Sequence, residues 1–181
     1  MLTCSKLISG GKGLAQALIK RAPTVSLDWD VRQKSRFQTE DSNGRVLSVF
    51  LQRGHVVRGG DVLVADDGSL VKVQAAPQTL LRITACTTHG SPFDLTRAAY
   101  HLGNRHVPIE LQPDHLKIEP DSVLADMLRS MHLIVNTVEE AFEPESGAYS
   151  THHGHHHGHL HEPANEQAQA HVHGPNCQHE H

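Results

Sequence analysis

Apolar and polar residues alternate over short stretches in the first half of the chain. In VSLDWDVR every second residue is apolar (Val25, Leu27, Trp29 and Val31), which is the period of a half-buried β-strand. A turn signal at residues 41–44 precedes a second β-rich stretch, RVLSVFL. Two more strand candidates flank Asp66-Asp67-Gly68, a hairpin signal. This spacing predicts a small all-β domain over residues 1–76, either a barrel or a sandwich.

The period changes after Pro77. LLRITAC is predicted to be a strand, and Ser91-Pro92-Phe93-Asp94 gives a helix start in which Ser91 caps and Asp94 takes the capping-box position. We expect this helix to run to about Leu102. It should stop near Gly103-Asn104, residues that readily take left-handed conformations.

The remaining periodic residues complete a second domain. VPIEL and HLKIE are predicted to be short strands around Pro113-Asp114, and LIVNTVEEAF to be a last strand. Between them Asp121 can cap a helix with apolar residues at helical spacing: Val123, Leu124, Met127, Leu128 and Met131. The resulting order, β-α-β-β-α-β, predicts a ferredoxin-like domain over residues 77–149. The fold class is therefore α+β, with a tail at residues 150–181.

The tail is rich in histidine and lacks apolar periodicity, so it should be disordered without a ligand. Eleven of the 17 histidines of the chain lie within it. Neutral imidazole is a good ligand for zinc, nickel and copper, and glycines let a flexible chain wrap around an ion. The candidate tail ligands are His152, His153, His155, His156, His157, His159, His161, His171 and His173. Cys177, between His173 and His179, is either a further ligand or a bystander.

Two alternatives to metal binding by the tail are a purification tag and a solvated polar segment without a role. A purification tag is normally an uninterrupted run of histidines, whereas this one is broken at Gly154, Gly158 and Leu160 and resumes at His171. A solvated polar tail without a role would not need so many imidazoles. Metal binding is the favoured interpretation.

Charge and composition exclude several classes of protein. The formal net charge is −4, and the tail contributes three glutamates and no lysine or arginine, so the rest of the chain is close to neutral. A nucleic-acid binder would usually carry a basic face. No run of about 18 apolar residues is present, and the N-terminus lacks the order of a signal peptide. Three scattered cysteines indicate a reducing compartment, which favours the cytoplasm.

The body of the chain offers one candidate ligand and no catalytic cluster. His106 follows the first predicted helix, and taken alone a histidine there is more often structural than a ligand. His101 lies five residues earlier and on another face, but a symmetric dimer could bring two copies of one histidine to its axis. Residues 58–61 lack the strand-to-helix context of a phosphate loop. The Asp66-Asp67 pair fits a hairpin better than a carboxylate site.

Several stretches together resemble the UreE family of urease accessory proteins, the nickel metallochaperones of urease maturation. The resemblance covers about residues 24–149. It is carried by LDWDVRQKSRF, QRGHVVRGGDVLVADDG, VQAAPQTLL, AAYHLGNRHVPIEL, DSVLADML and FEPESGAY, followed by the histidine-rich end. One departure is that residues 119–122 read Glu-Pro-Asp-Ser where some relatives carry additional surface histidines.

The resemblance implies an N-terminal β domain that engages partners and a C-terminal domain that dimerises. It also implies that His106, in the GNRH motif, meets its counterpart in the dimer and shares one Ni²⁺ with it. Delivery to apo-urease would involve the GTPase UreG and the urease pre-activation complex. Tail histidines would complete the nickel shell, and loading would fall as the pH drops below about 6.5. Zinc and copper would bind the same ligands.

Two other functions remain open at this point. In a metal store or buffer, the tail alone would hold the ions. A metal-dependent hydrolase would need a fixed site with an open position and a nearby base, and no such cluster is visible in residues 1–149. No enzymatic function is therefore expected.

Overall fold

The computed structural model describes residues 1–146. The first half forms a mixed sheet of six strands: β1 Leu2–Ile8, β2 Thr24–Leu27, β3 Arg36–Glu40, β4 Val46–Phe50, β5 Val62–Ala65 and β6 Leu70–Ala75. Their order in the sheet is β2-β6-β5-β1-β4-β3, with β1 parallel to β4 and β2 parallel to β6. Two short helices, α1 (Gln16–Arg21) and α2 (Trp29–Arg32), connect strands of this sheet.

Both edges of this sheet contribute to one apolar core. Val25 and Leu27 from β2 lie in the same cluster as Leu47 and Val49 from β4, and Phe37 from the opposite edge packs against it. The two edges also approach each other, since Ser42, just after β3, donates its N–H to Thr24 O at 2.8 Å. The sheet therefore wraps around its core.

The sequence predicted three strands of this sheet correctly and missed two. RVLSVFL contains β4, and the pair flanking Gly68 forms the β5–β6 hairpin, with Gly68 at a φ of 81°. The central strand β1 and the edge strand β3 were not predicted. Their apolar and polar residues do not alternate cleanly enough, and β1 pairs only with distant strands.

The prediction that VSLDWDVR is one strand was wrong beyond Leu27. The carboxylate of Asp28 accepts the N–H of Val31 at 2.8 Å and so caps the single-turn helix α2. A capping aspartate ends the strand locally, whatever the apolar period beyond it. Trp29 is still buried, but it faces the second sheet instead of the first core.

The second half has the predicted β-α-β-β-α-β order. The elements are β7 Pro77–Ala85, α3 Pro92–Gly103, β8 Glu110–Leu111, β9 Leu116–Ile118, α4 Ser122–Ser130 and β10 Leu133–Ala141. The strands form an antiparallel sheet in the order β10-β7-β9-β8. Both helices pack into a single apolar core with this sheet, to which they contribute Leu95, Ala98, Leu102, Ala125 and Leu128.

The predicted helix starts in this half are present. Asp94 accepts the N–H of Ser91 at 2.7 Å, and Asp121 accepts the N–H of Leu124 at 2.8 Å. Helix α3 ends at Gly103 as expected, but Asn104 stays in the right-handed helical region. The left-handed residue comes two positions later, at His106. No helix within residues 1–146 is long and apolar enough to cross a membrane.

Candidate metal centre

His106 is an exposed residue on a tight turn at the end of α3. Its backbone is left-handed, with a φ of 57°, and its N–H donates to Gly103 O at 2.9 Å. Arg105 extends its guanidinium back to the carbonyl of His101 at 3.0 Å and so satisfies a free acceptor at the helix end. A left-handed backbone costs a non-glycine residue about 1 kcal/mol or more, and such conformations cluster at functional sites.

The imidazole of His106 has no hydrogen bond or ion pair to any of the described residues. The ring of His101, which the sequence placed on another face, packs edge-on against Tyr100 with centroids 5.4 Å apart. Within residues 1–146 no group of three or more histidine, cysteine or acidic side chains could hold a metal ion. Further protein donors for an ion bound at His106 would therefore come from a second copy or from residues beyond 146.

The end of the described chain is fastened beside the segment that follows His106. We call residues 142–146 the strap. Glu145 donates its N–H to Ile109 O at 2.8 Å, and Glu143 donates its N–H to a carboxylate oxygen of Glu110 at 2.7 Å. The strap therefore runs alongside residues 109–110, three to four positions after His106.

Glu110 is held in place by a buried ion pair. Its carboxylate lies 2.8 Å from the ammonium of Lys117, which also donates to Ala141 O at 2.7 Å. Burial alone would raise the pKa of Glu110, but the hydrogen bonds from Lys117 and from the N–H of Glu143, with the Lys117 charge, outweigh burial and lower it. The carboxylate that anchors the strap is therefore ionised at neutral pH.

The strap also joins the two sheets through four side chains, which we call the clamp: Trp29, Arg32, Arg58 and Glu143. Arg32 is fully buried and donates to Glu143 at 2.8 Å, to Leu27 O at 3.1 Å and to Phe142 O. Arg58 reaches the other oxygen of Glu143 at 3.2 Å and Pro144 O at 2.7 Å.

Both arginines of the clamp lie over the ring of Trp29. Their guanidinium carbons are 5.2 and 5.1 Å from the ring, and Phe142 meets the ring edge-on at 5.9 Å. Burial lowers the pKa of Arg32, and the charge of Glu143 opposes this shift. An arginine nevertheless stays charged in proteins, so the clamp keeps its ion pairs.

The structure describes one of the predicted metal ligands. The other nine lie outside the described residues, as does Cys177; the nine are His152, His153, His155, His156, His157, His159, His161, His171 and His173. Sequence reasoning missed the clamp, although all four of its members lie in stretches that carry the family resemblance. A charged residue that becomes fully buried, such as Arg32, has no local sequence signal.

Known proteins match this chain over its whole length. The family described as "UreE urease accessory protein, N-terminal domain" matches residues 5–76, and "UreE urease accessory protein, C-terminal domain" matches residues 78–181. The urease accessory protein UreE of Albidiferax ferrireducens is 71% identical over 181 residues, which is all of both chains. That of Polaromonas naphthalenivorans is 68% identical over 99% of this chain and 88% of its own.

A more distant relative agrees. The urease accessory protein UreE of Burkholderia ambifaria is 49% identical over 155 residues, covering 86% of this chain and 75% of its own. Both family descriptions and all these relatives point to one role, accessory to urease. The chain belongs to the UreE family of urease accessory proteins.

Proposed function

We propose that this protein is a metallochaperone that carries Ni²⁺ in the cytoplasm and delivers it to apo-urease. Two chains pair through a ferredoxin-like domain at residues 77–149, and their His106 imidazoles share one ion. The domain at residues 1–76 engages partners such as UreG and the urease pre-activation complex. The tail at residues 150–181 supplies the remaining imidazoles.

The observation that carries this proposal is the hydrogen bond between Glu145 and Ile109. It holds Glu145 next to Ile109, which follows His106 by three positions in the sequence. The exposed ring of His106 supplies one donor, and family membership supports the urease role. An exposed imidazole close to the last described residues, with a histidine-rich tail following in the sequence, supports a shared nickel site that the tail can complete.

The reach of the tail supports the same arrangement. The six residues that follow Ser146, ending at His152, can span at most about 20 Å when extended. The segment from His106 to Ile109 spans at most about 10 Å. His152, His153 and His155 can therefore reach an ion at His106, and a short tether keeps their effective concentration at about the millimolar level.

A nickel ion that two His106 imidazoles share, and that weakly held tail histidines complete, is better suited to transfer than to storage. Two imidazoles leave a six-coordinate nickel ion unsaturated, and tail histidines can be withdrawn one at a time by a partner. A buffer would keep its ions in the tail alone and would not need His106. The proposal and the buffer hypothesis therefore differ in what remains after the tail is removed.

The test is a nickel titration of a chain that ends at residue 149, with the mass in solution measured by light scattering. We expect a dimer that binds about one ion per two chains, because a two-fold axis pairs identical residues. His106→Ala should abolish this binding. His101→Ala, the matched control five residues earlier, should leave it unchanged. Loss of all binding on truncation alone would favour the buffer.

A further inference from the structure

Cysteine and histidine side chains lie near each other at the opposite end of α3 from His106. An open cavity of about 610 Å³ is lined there by Cys86, His89, Asp94, Arg97 and His132, among others. Cys86 follows the end of β7, and His89 belongs to the loop that leads into α3. The helix has 12 residues and so separates this cavity from the His106 turn by about 18 Å.

The loop after β7 brings Cys86 and His89 together. Gly90 donates its N–H to Cys86 O at 2.8 Å, and a Cβ at position 90 would lie 2.6 Å from the Cys86 nitrogen. Only glycine allows so tight a return. The loop leaves Cys86 Sγ 3.9 Å from His89 Nδ1.

That separation is close to what a shared metal ion needs. Bonds of about 2.3 Å to sulfur and 2.0–2.1 Å to nitrogen at a tetrahedral angle place the two ligand atoms about 3.5 Å apart. A side-chain adjustment of a few tenths of an ångström would therefore let both atoms bind one ion. The spacing Cys-x-x-His is short enough for a single loop to supply both ligands.

The surroundings favour the thiolate form and leave the pair accessible. The backbone N–H groups of His89 and Thr88, followed by the His89 side chain, lower the pKa of Cys86 to about 7. Cys86 is half-buried and His89 is exposed. Asp94 is occupied by the Ser91 N–H and lies 3.9 Å from the guanidinium of Arg97, so it is not counted as a ligand.

We propose that Cys86 and His89 form a second, exchangeable site for a borderline divalent cation such as Co²⁺, Ni²⁺ or Zn²⁺. The site supplies two protein ligands, and water fills the other positions, because no third donor converges on the pair within the described residues. His132, on the same cavity wall, marks where a third ligand could be introduced. This site does not depend on nickel delivery or on a dimer.

The test uses the full chain, kept reduced, with Cys177→Ser to remove the tail thiol. Co²⁺ is added beyond the capacity of the tail histidines, and thiolate-to-metal charge-transfer absorption is recorded, since imidazoles do not produce it. We expect a saturable band in this background. Adding Cys86→Ser should abolish the band, and adding His89→Gln should weaken binding at least about tenfold. Adding His106→Ala should leave the band unchanged, which separates this site from the proposed nickel centre.

No band in the Cys177→Ser background, or a band that survives Cys86→Ser, would overturn the proposal. A second readout avoids the substitution of Cys86 itself. In the Cys177→Ser background, Zn²⁺ should slow maleimide labelling of Cys86, and His89→Gln should remove that protection. Equal labelling rates with and without Zn²⁺ would also overturn it. Circular dichroism of each variant confirms that the fold is retained.

Discussion

The clamp and the His106 turn both lie in stretches that carry the family resemblance, yet they are built in opposite ways. Arg32 is fully buried and its guanidinium has four acceptors, the carbonyls of Leu27, Val57 and Phe142 and the carboxylate of Glu143. His106 is exposed, and only its backbone is bonded within the described residues. The first arrangement holds two sheets together, whereas the second leaves an imidazole open to solvent.

Stretches that resemble the family can therefore contain residues of two kinds, those that hold the fold together and those that are left accessible. A buried cation must have all its donors satisfied, because an unpaired buried charge is very costly. An imidazole proposed to bind a metal ion must instead be left without protein partners, and the left-handed backbone of His106 costs some stability. Substitutions in the clamp should therefore lower the free energy of unfolding, whereas substitution of the His106 imidazole should affect nickel binding.

The largest effect is expected from Arg32→Leu. The change leaves Glu143 with one arginine and removes the guanidinium from three carbonyls, of which only Leu27 O keeps another donor among the described residues, the Ala76 N–H. We therefore expect a loss of about 3 kcal/mol or more in the free energy of unfolding. Urea denaturation followed by circular dichroism measures it. Arg36→Leu, at an exposed position in β3, is the control and should change stability by less than about 0.5 kcal/mol. A similar loss in both variants would contradict the special role of the clamp.

Two glycine-to-alanine substitutions, one beside the clamp and one near the His106 turn, should change stability in opposite directions. A Cβ at Gly59 would lie 2.9 Å from a Glu143 oxygen, and the Gly59 N–H donates to the same oxygen at 2.8 Å. Gly59→Ala should therefore cost about 1–2 kcal/mol. Gly103→Ala, at the end of α3, meets open space and should stabilise the protein by about 0.5 kcal/mol. Thermal unfolding of both variants checks the opposite signs.

Acid should loosen the anchor of the strap. Because the pKa of Glu110 is lowered on folding, its contribution is complete above the unfolded value of about 4.3 and is lost as the pH falls through the folded value. Glu110→Gln should thus be less stable than the parent at pH 7, and the gap should narrow below pH 4.3. Urea midpoints measured across this range test it. Glu40→Gln, an exposed carboxylate in β3, should show a smaller difference at pH 7. A gap for Glu110→Gln that stays constant with pH would refute the anchor.

The smallest effect on stability concerns two histidines with left-handed backbones, His106 and His132. Replacing either by glycine removes a steric penalty but loosens the unfolded chain, so we expect a gain of about 0.5 kcal/mol from each. Nickel binding by the chain ending at residue 149 should be lost only in His106→Gly. Equal loss of binding in both variants would mean that the backbone conformation matters and not the imidazole.

The sequence predicted those features whose determining residues are adjacent in the chain. Asp121 and the Ser91–Asp94 pair predicted their helix starts because a cap and its helix are adjacent in the chain. The hairpin at Gly68 was equally readable. Asp28 was also a local signal, but the apolar alternation of Trp29 and Val31 obscured it.

Contacts between distant residues were not predictable in the same way. Arg32 and Glu143 are 111 positions apart, and each looks like an ordinary surface charge in the sequence. The pairing of Cys86 with His89 was missed for another reason. A cysteine and a histidine three positions apart indicate a site only when the loop between them brings their side chains together. That loop conformation depends on Gly90.

The position of Trp29 has a practical consequence for studying this molecule. It is the single tryptophan of the chain, and its backbone N–H donates to Gln78 of the second sheet at 2.9 Å. Trp29 is 5% exposed, and its indole nitrogen has no hydrogen-bond partner among the described residues. The chain thus carries one tryptophan fluorophore, located where its two sheets meet. Its emission should therefore change when the contact between the two sheets opens.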